Sequence, residues 1–281
     1  MVGIIILNYN TWEETAKCVA SIKKFTVDID YHIYVVDNNS PITPSRDVLS
    51  RLNSDTRLSL IMSGKNKGYS AGNNIGMKKA LDDKCDYILI SNSDIEFVDN
   101  SIGEMRSFLQ KNDRIGIVGP QIYNVHGDIQ PFYMMSKLTA MGKIKNMLLH
   151  TPLRRFLSEF KDKFILDKEL TEPKEVFGVS GCCFMMSRDC ASYLFPFDER
   201  TFLYEEEYII GVRMEESPLS VFIIPNTHVI HAHGASTKSM SSFAYKCMVE
   251  SEQLYLKEYL KSNILTRSFF LILRQFLRFI R

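Results

Sequence analysis

The sequence predicts an α/β protein built on a doubly wound, mostly parallel sheet, and three observations carry that prediction. Short β-branched runs alternate with amphipathic segments through the first half of the chain. Several of these runs end in Asn and Asp, the residues that leave a strand for a turn. The chain has 281 residues, 45% hydrophobic and 24% charged, which suits one α/β domain and excludes disordered, collagen-like or coiled-coil chains.

In order along the chain, VGIIIL (2–7) is a buried-strand run, and Thr11 is placed to cap a helix carrying Trp12, Ala16, Val19 and Ile22. HIYVVD (32–37) is the second strand, followed by the turn cluster NNSPITP and a helix near 44–53. LSLIM (58–62) is the third strand, YILISNSD (87–94) the fourth, and IGIVG (115–119) the fifth, with a helix near 100–111 between the last two. Strand, helix, strand at this spacing implies parallel pairing through right-handed crossovers.

The charge balance, 34 basic against 33 acidic residues for a net +1, lacks the basic excess that phosphate neutralisation on nucleic acid requires. No nucleic-acid partner is therefore expected. The six cysteines form no CxxC pair, which implies reduced thiols and a cytoplasmic protein. The opening apolar run is too short for a signal peptide, and no apolar run reaches the roughly 18 residues of a membrane span.

Ligands of doubly wound sheets sit beyond the carboxyl ends of the strands. Here those ends read Asn8-Tyr9-Asn10, Asp37-Asn38-Asn39 and Asn92-Ser93-Asp94. Turn preference accounts for any one of them, whereas three in succession at one edge point to a site. Neither GxGxxG nor GxxxxGK[ST] is present, which removes the dinucleotide and P-loop readings. Instead, residues 66–76 read NKGYSAGNNIG. Its glycines suit close backbone approach to a ligand at a helix start, and Lys67 supplies a point charge for a diphosphate.

Taken in order, ILNYN (6–10), VVDNNS (35–40), NKGYSAGNNIG (66–76), ILISNSD (88–94), IGIVGPQI (115–122), VSGCCFMM (179–186), FDERTFLYEEEYIIGVR (197–213) and HVIHAHGAS (228–236) resemble a family 2 glycosyltransferase of the GT-A fold. The likeness is to the bacterial polysaccharide, rhamnosyltransferase-like branch. It implies a nucleotide-diphosphate sugar donor (UDP- or dTDP-sugar) and a divalent metal, Mn²⁺ or Mg²⁺, that supports the departing diphosphate. The family's DxD element reads Asn92-Ser93-Asp94, so the resemblance makes Asp94 the metal ligand and puts Asn92 on the ribose or a phosphate; Glu96 is a weaker alternate ligand. His231 is the matched histidine completing the metal shell, with His233 as its substitute and His228 in the incoming strand.

The same likeness places the catalytic base in Glu205-Glu206-Glu207, at Glu207 with Glu206 close behind, although Glu207 replaces the usual Asp and Ile209 stands where relatives carry a further acid. Nucleotide contacts fall to Asn8, Tyr9 and Asn10, to Asp37 and Asn39, and to Asn66, Lys67, Gly68 and Asn73. The sugar is expected against Gly181. Cys182 and Cys183 lie among apolar neighbours that raise a thiol pKa, so no second nucleophile is expected and single displacement with inversion follows.

The resemblance makes residues 1–240 the GT-A domain, with 131–170 as a variable insertion. There Lys143, Lys145, Arg154 and Arg155 lie among Met, Leu and Phe, as either an acceptor contact or lid or a solvated helix face. Residues 241–281 form a basic, amphipathic helical tail whose charges from Lys261 onward are all positive. Such a tail either lies on a membrane surface, arginines on anionic lipid, or packs on protein. The expected activity is sugar transfer to a polysaccharide or lipid-linked oligosaccharide in cell-surface glycan synthesis, at the inner face of the cell membrane. The rivals are a catalytically degenerate scaffold and a sugar nucleotidyltransferase.

Overall fold

The computed structural model describes residues 1–53, 55–132, 134–149, 151–232 and 241–279. The strands are β1 (Val2–Asn8), β2 (Tyr31–Asp37), β3 (Leu58–Met62), β4 (Tyr87–Asn92), β5 (Ile95–Phe97), β6 (Ile115–Tyr123), β7 (Lys174–Glu175), β8 (Cys183–Ser187) and β9 (Ser220–His231). The helices are α1 (Trp12–Phe25), α2 (Arg46–Asn53), α3 (Tyr69–Asp82), α4 (Ser101–Gln110), α5 (Ala140–Leu148), α6 (Ser158–Phe164), α7 (Arg188–Leu194), α8 (Glu206–Glu215), α9 (Ser242–Leu254) and α10 (Ile264–Phe279). One sheet runs β3-β2-β1-β4-β8-β6-β9-β5, with β7 paired to β9. β1, β2, β3, β4, β6 and β9 point one way, and β5, β7 and β8 point the other.

The period of two along β1 explains why helices cover both faces. Ile5 joins Tyr34, Val36, Ile88 and Ile90 under Met77 and Ala80 of α3. Ile4 and Ile6 join Ile33, Val35 and Leu89 under Val19 and Ile22 of α1 and Met105 and Leu109 of α4. Each fully buried Ile contributes about 1.5–3 kcal/mol of hydrophobic stabilisation.

Three local expectations change. The fifth predicted strand does not neighbour the fourth, because β8 inserts antiparallel between β4 and β6. Its CFMM run is buried on both faces and so lacks the alternation that marks a half-exposed strand. The fourth strand stops at Asn92, where Asn92 N–H donates to Cys182 O (2.8 Å), and the chain turns through Ser93-Asp94 into β5. Thr11 sits at the N-cap of α1 but caps no helical N–H. Its hydroxyl bonds Asn8 Oδ1 (3.2 Å) and Ser93 Oγ (2.7 Å) instead.

The insertion and the tail pack on each other. Met147 of α5 meets Leu256 and the α10 residues Phe270 and Leu277, with Ile144 and Leu273 alongside. Tyr255, just after α9, is buried in the main core. Leu265, Phe269, Ile272 and Phe276 form an exposed stripe on α10 at i, i+4, i+7 and i+11. At Arg274 the tail takes the protein-packing alternative: the guanidinium grips Glu252 through two bonds (2.8 and 2.9 Å), because a buried carboxylate needs a paired charge. Among the described residues no helix is long and apolar enough to cross a membrane.

Candidate active site

The strand ends meet at one edge because the register demands it. Asn8 pairs with Asp37, and Leu7 with Asn92. Asn8 is fully buried and every polar atom of its side chain is used. Its Nδ2 donates to Asp37 Oδ1 (2.7 Å) and Ser40 Oγ (3.2 Å), and its Oδ1 accepts from the Thr11 and Thr15 hydroxyls. Asp37 also accepts from Ser40 Oγ (2.5 Å) and Ser40 N–H (3.0 Å). Asn8 thus fastens this edge rather than presenting a polar wall. Tyr9 and Asn39 supply the exposed surface. Asn10 and Asn39 take left-handed φ values of 61° and 60°, which Asn tolerates.

The glycine-rich segment differs from an open phosphate cradle. A Cβ at Gly72 would lie 2.4 Å from Leu7 Cδ1, and one at Gly76 2.5 Å from Ile5 Cγ2, so these glycines seat α3 against β1. Gly68 combines a φ of +95° with a Cβ position 2.2 Å from Phe202 O, so no other residue fits there. Asn66 Oδ1 accepts from Gly68 N–H (3.0 Å), shaping the turn, while Lys67 is exposed. Asn73 is fully buried; its Nδ2 donates to Tyr69 O (3.1 Å), and among the described residues its Oδ1 has no hydrogen-bond partner.

Asp94 and His231 converge. Ile95 is the register partner of His231, which brings the preceding Asp94 beside it; Oδ1 lies 3.4 Å from Nε2. Gln130 Oε1 and His231 Nδ1 are hydrogen-bonded (3.0 Å), which orients the ring so that Nε2 faces Asp94. One carboxylate and one imidazole oriented from behind suit Mn²⁺, with remaining positions left for phosphate and water. Among the described residues no group of three or more His, Cys, Asp or Glu is assembled for a metal. His228 lies in β9, edge-on to Tyr123 and 3.4 Å from Asp99, in keeping with a strand role. Glu96 is exposed on β5, and His233 lies outside the described residues.

Opposite stands the acid cluster. Glu207 lines a cleft of about 620 Å³ together with Gln130, Ser180, Tyr204 and Tyr208. Its Oε1 accepts from Gly181 N–H (3.2 Å), and a Cβ at Gly181 would press to 2.7 Å from that oxygen. Tyr69 OH donates to Gly181 O (2.5 Å) and so holds the loop. Burial raises the Glu207 carboxyl pKa, while backbone N–H groups and the Lys143 charge pull it back. Glu206 is buried with Oε1 unpartnered among the described residues, and burial followed by the Glu207 charge drives its pKa well up. Glu205, at a φ of 71°, grips Lys143 (2.5 and 2.7 Å). Lys143 itself lies over the rings of Tyr208 (4.2 Å) and Tyr255 (4.9 Å). Lys143 is therefore an interior ion, not a lid or a solvated face. Burial raises the Cys182 thiol to about 12 and pushes Cys183 well up, which agrees with inert thiols.

Sequence reasoning missed Gln130, the part played by Tyr69 and the pairing of Lys143 with Glu205. Gln130 and Lys143 meet partners 101 and 62 positions away, and no local pattern announces either. Tyr69, inside the glycine-rich motif, was the one with a visible signal.

The fold and this edge define a glycosyltransferase of the GT-A type. The glycosyl transferase family 2 model matches residues 3–195, and the chain belongs to that family. Relatives include an N-acetylglucosaminyl-diphospho-decaprenol L-rhamnosyltransferase of Mycobacterium tuberculosis, 25% identical over 154 residues, which are 54% of this chain and 48% of that protein. A low-salt glycan biosynthesis hexosyltransferase, Agl10 of Haloferax volcanii, is 31% identical over 126 residues, 44% of this chain and 38% of that one. The matched segments therefore span about half or less of these relatives. Among solved structures, GalNAc-T7 with UDP, GalNAc and Mn²⁺ superposes with a TM-score of 0.65 at 17% identity over 92% of this chain and 48% of that one. S. aureus TarS 1–349 in complex with UDP-GlcNAc gives 0.56 at 13% identity over 92% and 67%.

Proposed function

We propose that this protein transfers a sugar, with inversion, from a UDP- or dTDP-sugar to a glycan acceptor carried on a lipid diphosphate, in cell-surface glycan synthesis. The observation that carries the reading is the convergence of Asp94 and His231 at the sheet edge where the glycine loop and the Glu207 cleft also open. These two side chains would hold Mn²⁺ or Mg²⁺, which supplies positive charge to the departing diphosphate when bound. Gln130 orients the imidazole so that Nε2 faces Asp94.

Glu207 takes the proton from the attacking acceptor hydroxyl. Its raised pKa brings it nearer neutrality, where a base is both ionised and strong enough, and the Gly181 N–H orients the carboxylate. Burial and the Glu207 charge push the Glu206 carboxyl pKa well up, and among the described residues it faces no orienting N–H like that of Gly181, which favours Glu207 as the base. Buried thiols offer no alternative nucleophile, so a single displacement inverts the anomeric centre. Tyr9, Asn10, Asn39, Asn66 and Lys67 border the nucleotide, with Asp37 and Asn92 behind them, and the Gly181 loop, which makes room for the Glu207 carboxylate, borders the sugar.

The lipid-linked acceptor follows the activity that the mycobacterial relative's name prints. The exposed α10 stripe provides the apolar face for docking on the inner membrane surface, at the cytoplasmic side. The test is donor cleavage with Mn²⁺ by wild type, Asp94→Asn and Glu207→Gln. Metal-dependent cleavage lost in Asp94→Asn, and transfer lost in Glu207→Gln, supports the reading; a wild type inert toward every UDP- and dTDP-sugar favours the degenerate scaffold.

A further inference from the structure

A second cleft opens in the insertion, and the reaction leaves it without a use. It measures about 520 Å³, and Arg154, Arg155, Lys161 and Asp167 line it together with Leu149 and Ile165. Lys161 is engaged by Asp167. Among the described residues no carboxylate pairs with Arg154 or Arg155, and both arginines line this space. Pro131 lines both this cleft and the one holding Glu207, so the two spaces adjoin.

The short 3₁₀ turn Pro152–Phe156 carries the arginines between apolar side chains. Leu153 is 47% and Phe156 71% exposed, and Arg155 lies 4.8 Å over the Phe156 ring. Paired guanidinium forks match phosphate oxygens, and exposed Leu and Phe beside them match hydrocarbon. A ligand answering to both is an anionic phosphate group attached to an apolar chain. The donor's diphosphate does not fit that description, and its expected partners, Asp94 and His231, lie on other elements.

We propose that Arg154 and Arg155 bind the diphosphate of a prenyl-diphosphate-linked acceptor, with Leu153 and Phe156 against its first isoprene units and its glycan passing Pro131 toward Glu207. The assignment rests on the reading of the Glu207 cleft as the transfer site. It predicts a subsite for the lipid end of the acceptor that is separate from the donor site.

Calorimetric binding of farnesyl diphosphate to the full chain tests it directly. Wild type binds, Arg154→Ala/Arg155→Ala weakens the affinity about tenfold or more, and saturating UDP with Mn²⁺ leaves the wild-type affinity unchanged. No binding, an unaltered affinity in the double variant, or competition by UDP would each overturn the proposal. Phosphatidylglycerol vesicles supply the second arm. Vesicle binding that falls with the double variant as far as farnesyl diphosphate binding does would make the arginines headgroup contacts and refute the assignment. Both substitutions are on exposed side chains, so the fold stands. Donor cleavage by wild type, read separately, reports on the transfer reading itself.

Discussion

The two sides of the candidate site handle polar groups in opposite ways. At the strand-end side, Asn8, Asp37, Thr11, Thr15 and Ser40 satisfy one another in a closed network. At the α8 side, two buried glutamates precede a third that lines the cleft, with the Lys143 ammonium held against the first, and among the described residues Glu206 Oε1 finds no partner. The first arrangement secures geometry at little electrostatic cost. The second accepts a cost in stability so that a carboxylate can sit in a low-dielectric cleft with its basicity raised.

The contrast is sharpest at Glu207. Replacing it with Gln should lower transfer about 10²–10⁴-fold, the usual worth of a positioned base, without lowering the melting temperature. Steady-state assays beside thermal melts check this; a variant that lost activity and stability together would erase the distinction. Next in size is Lys143→Met, which strands Glu205 as a buried charge. Urea unfolding should show a loss of about 3–5 kcal/mol, with Lys143→Arg recovering part of it. Asn8→Ala leaves Asp37 and two threonine hydroxyls short of a partner, and should cost about 1–3 kcal/mol on the same measurement. If the two losses came out in reverse order, the strand-end network would be the more strained half.

A pH series separates the halves further. Because burial raises the Glu206 pKa above its ordinary 4.5, the native state holds that proton more tightly than the unfolded chain does. That contribution to stability is complete below about pH 4.5 and is lost as pH rises through the elevated native value. Glu206→Gln should therefore gain stability relative to wild type as pH rises above about 4.5, as paired melts would reveal. The smallest effect concerns Cys182 and Cys183: native protein should leave both unmodified by a thiol reagent at neutral pH, and denaturant should release them.

How far each half could be read from the sequence follows the same division. β1 to β4, and the polar residues closing β1, β2 and β4, were legible because strand runs and turn residues are local signals. Asp94 and His231 came from motif likeness, and the β5–β9 register is what joins them. The glycines of 66–76 were visible, but their purpose was misread: a close approach to Leu7 and Ile5 looks, in sequence, the same as a close approach to a phosphate. β8 was hidden by its burial on both faces. Nothing local marked Gln130 as the partner of His231 or Lys143 as the partner of Glu205.

By itself, then, the order of residues determined the strands, the helices beside them, and the chemical types available at the sheet edge, since period and turn preference act over a few neighbouring positions. Only the tertiary structure decided which carboxylate is oriented by Gly181, which is matched by an ammonium and which has an oxygen with no hydrogen-bond partner among the described residues. Those outcomes depend on desolvation and on charges contributed by segments distant along the chain, and both quantities come into being only when the chain packs.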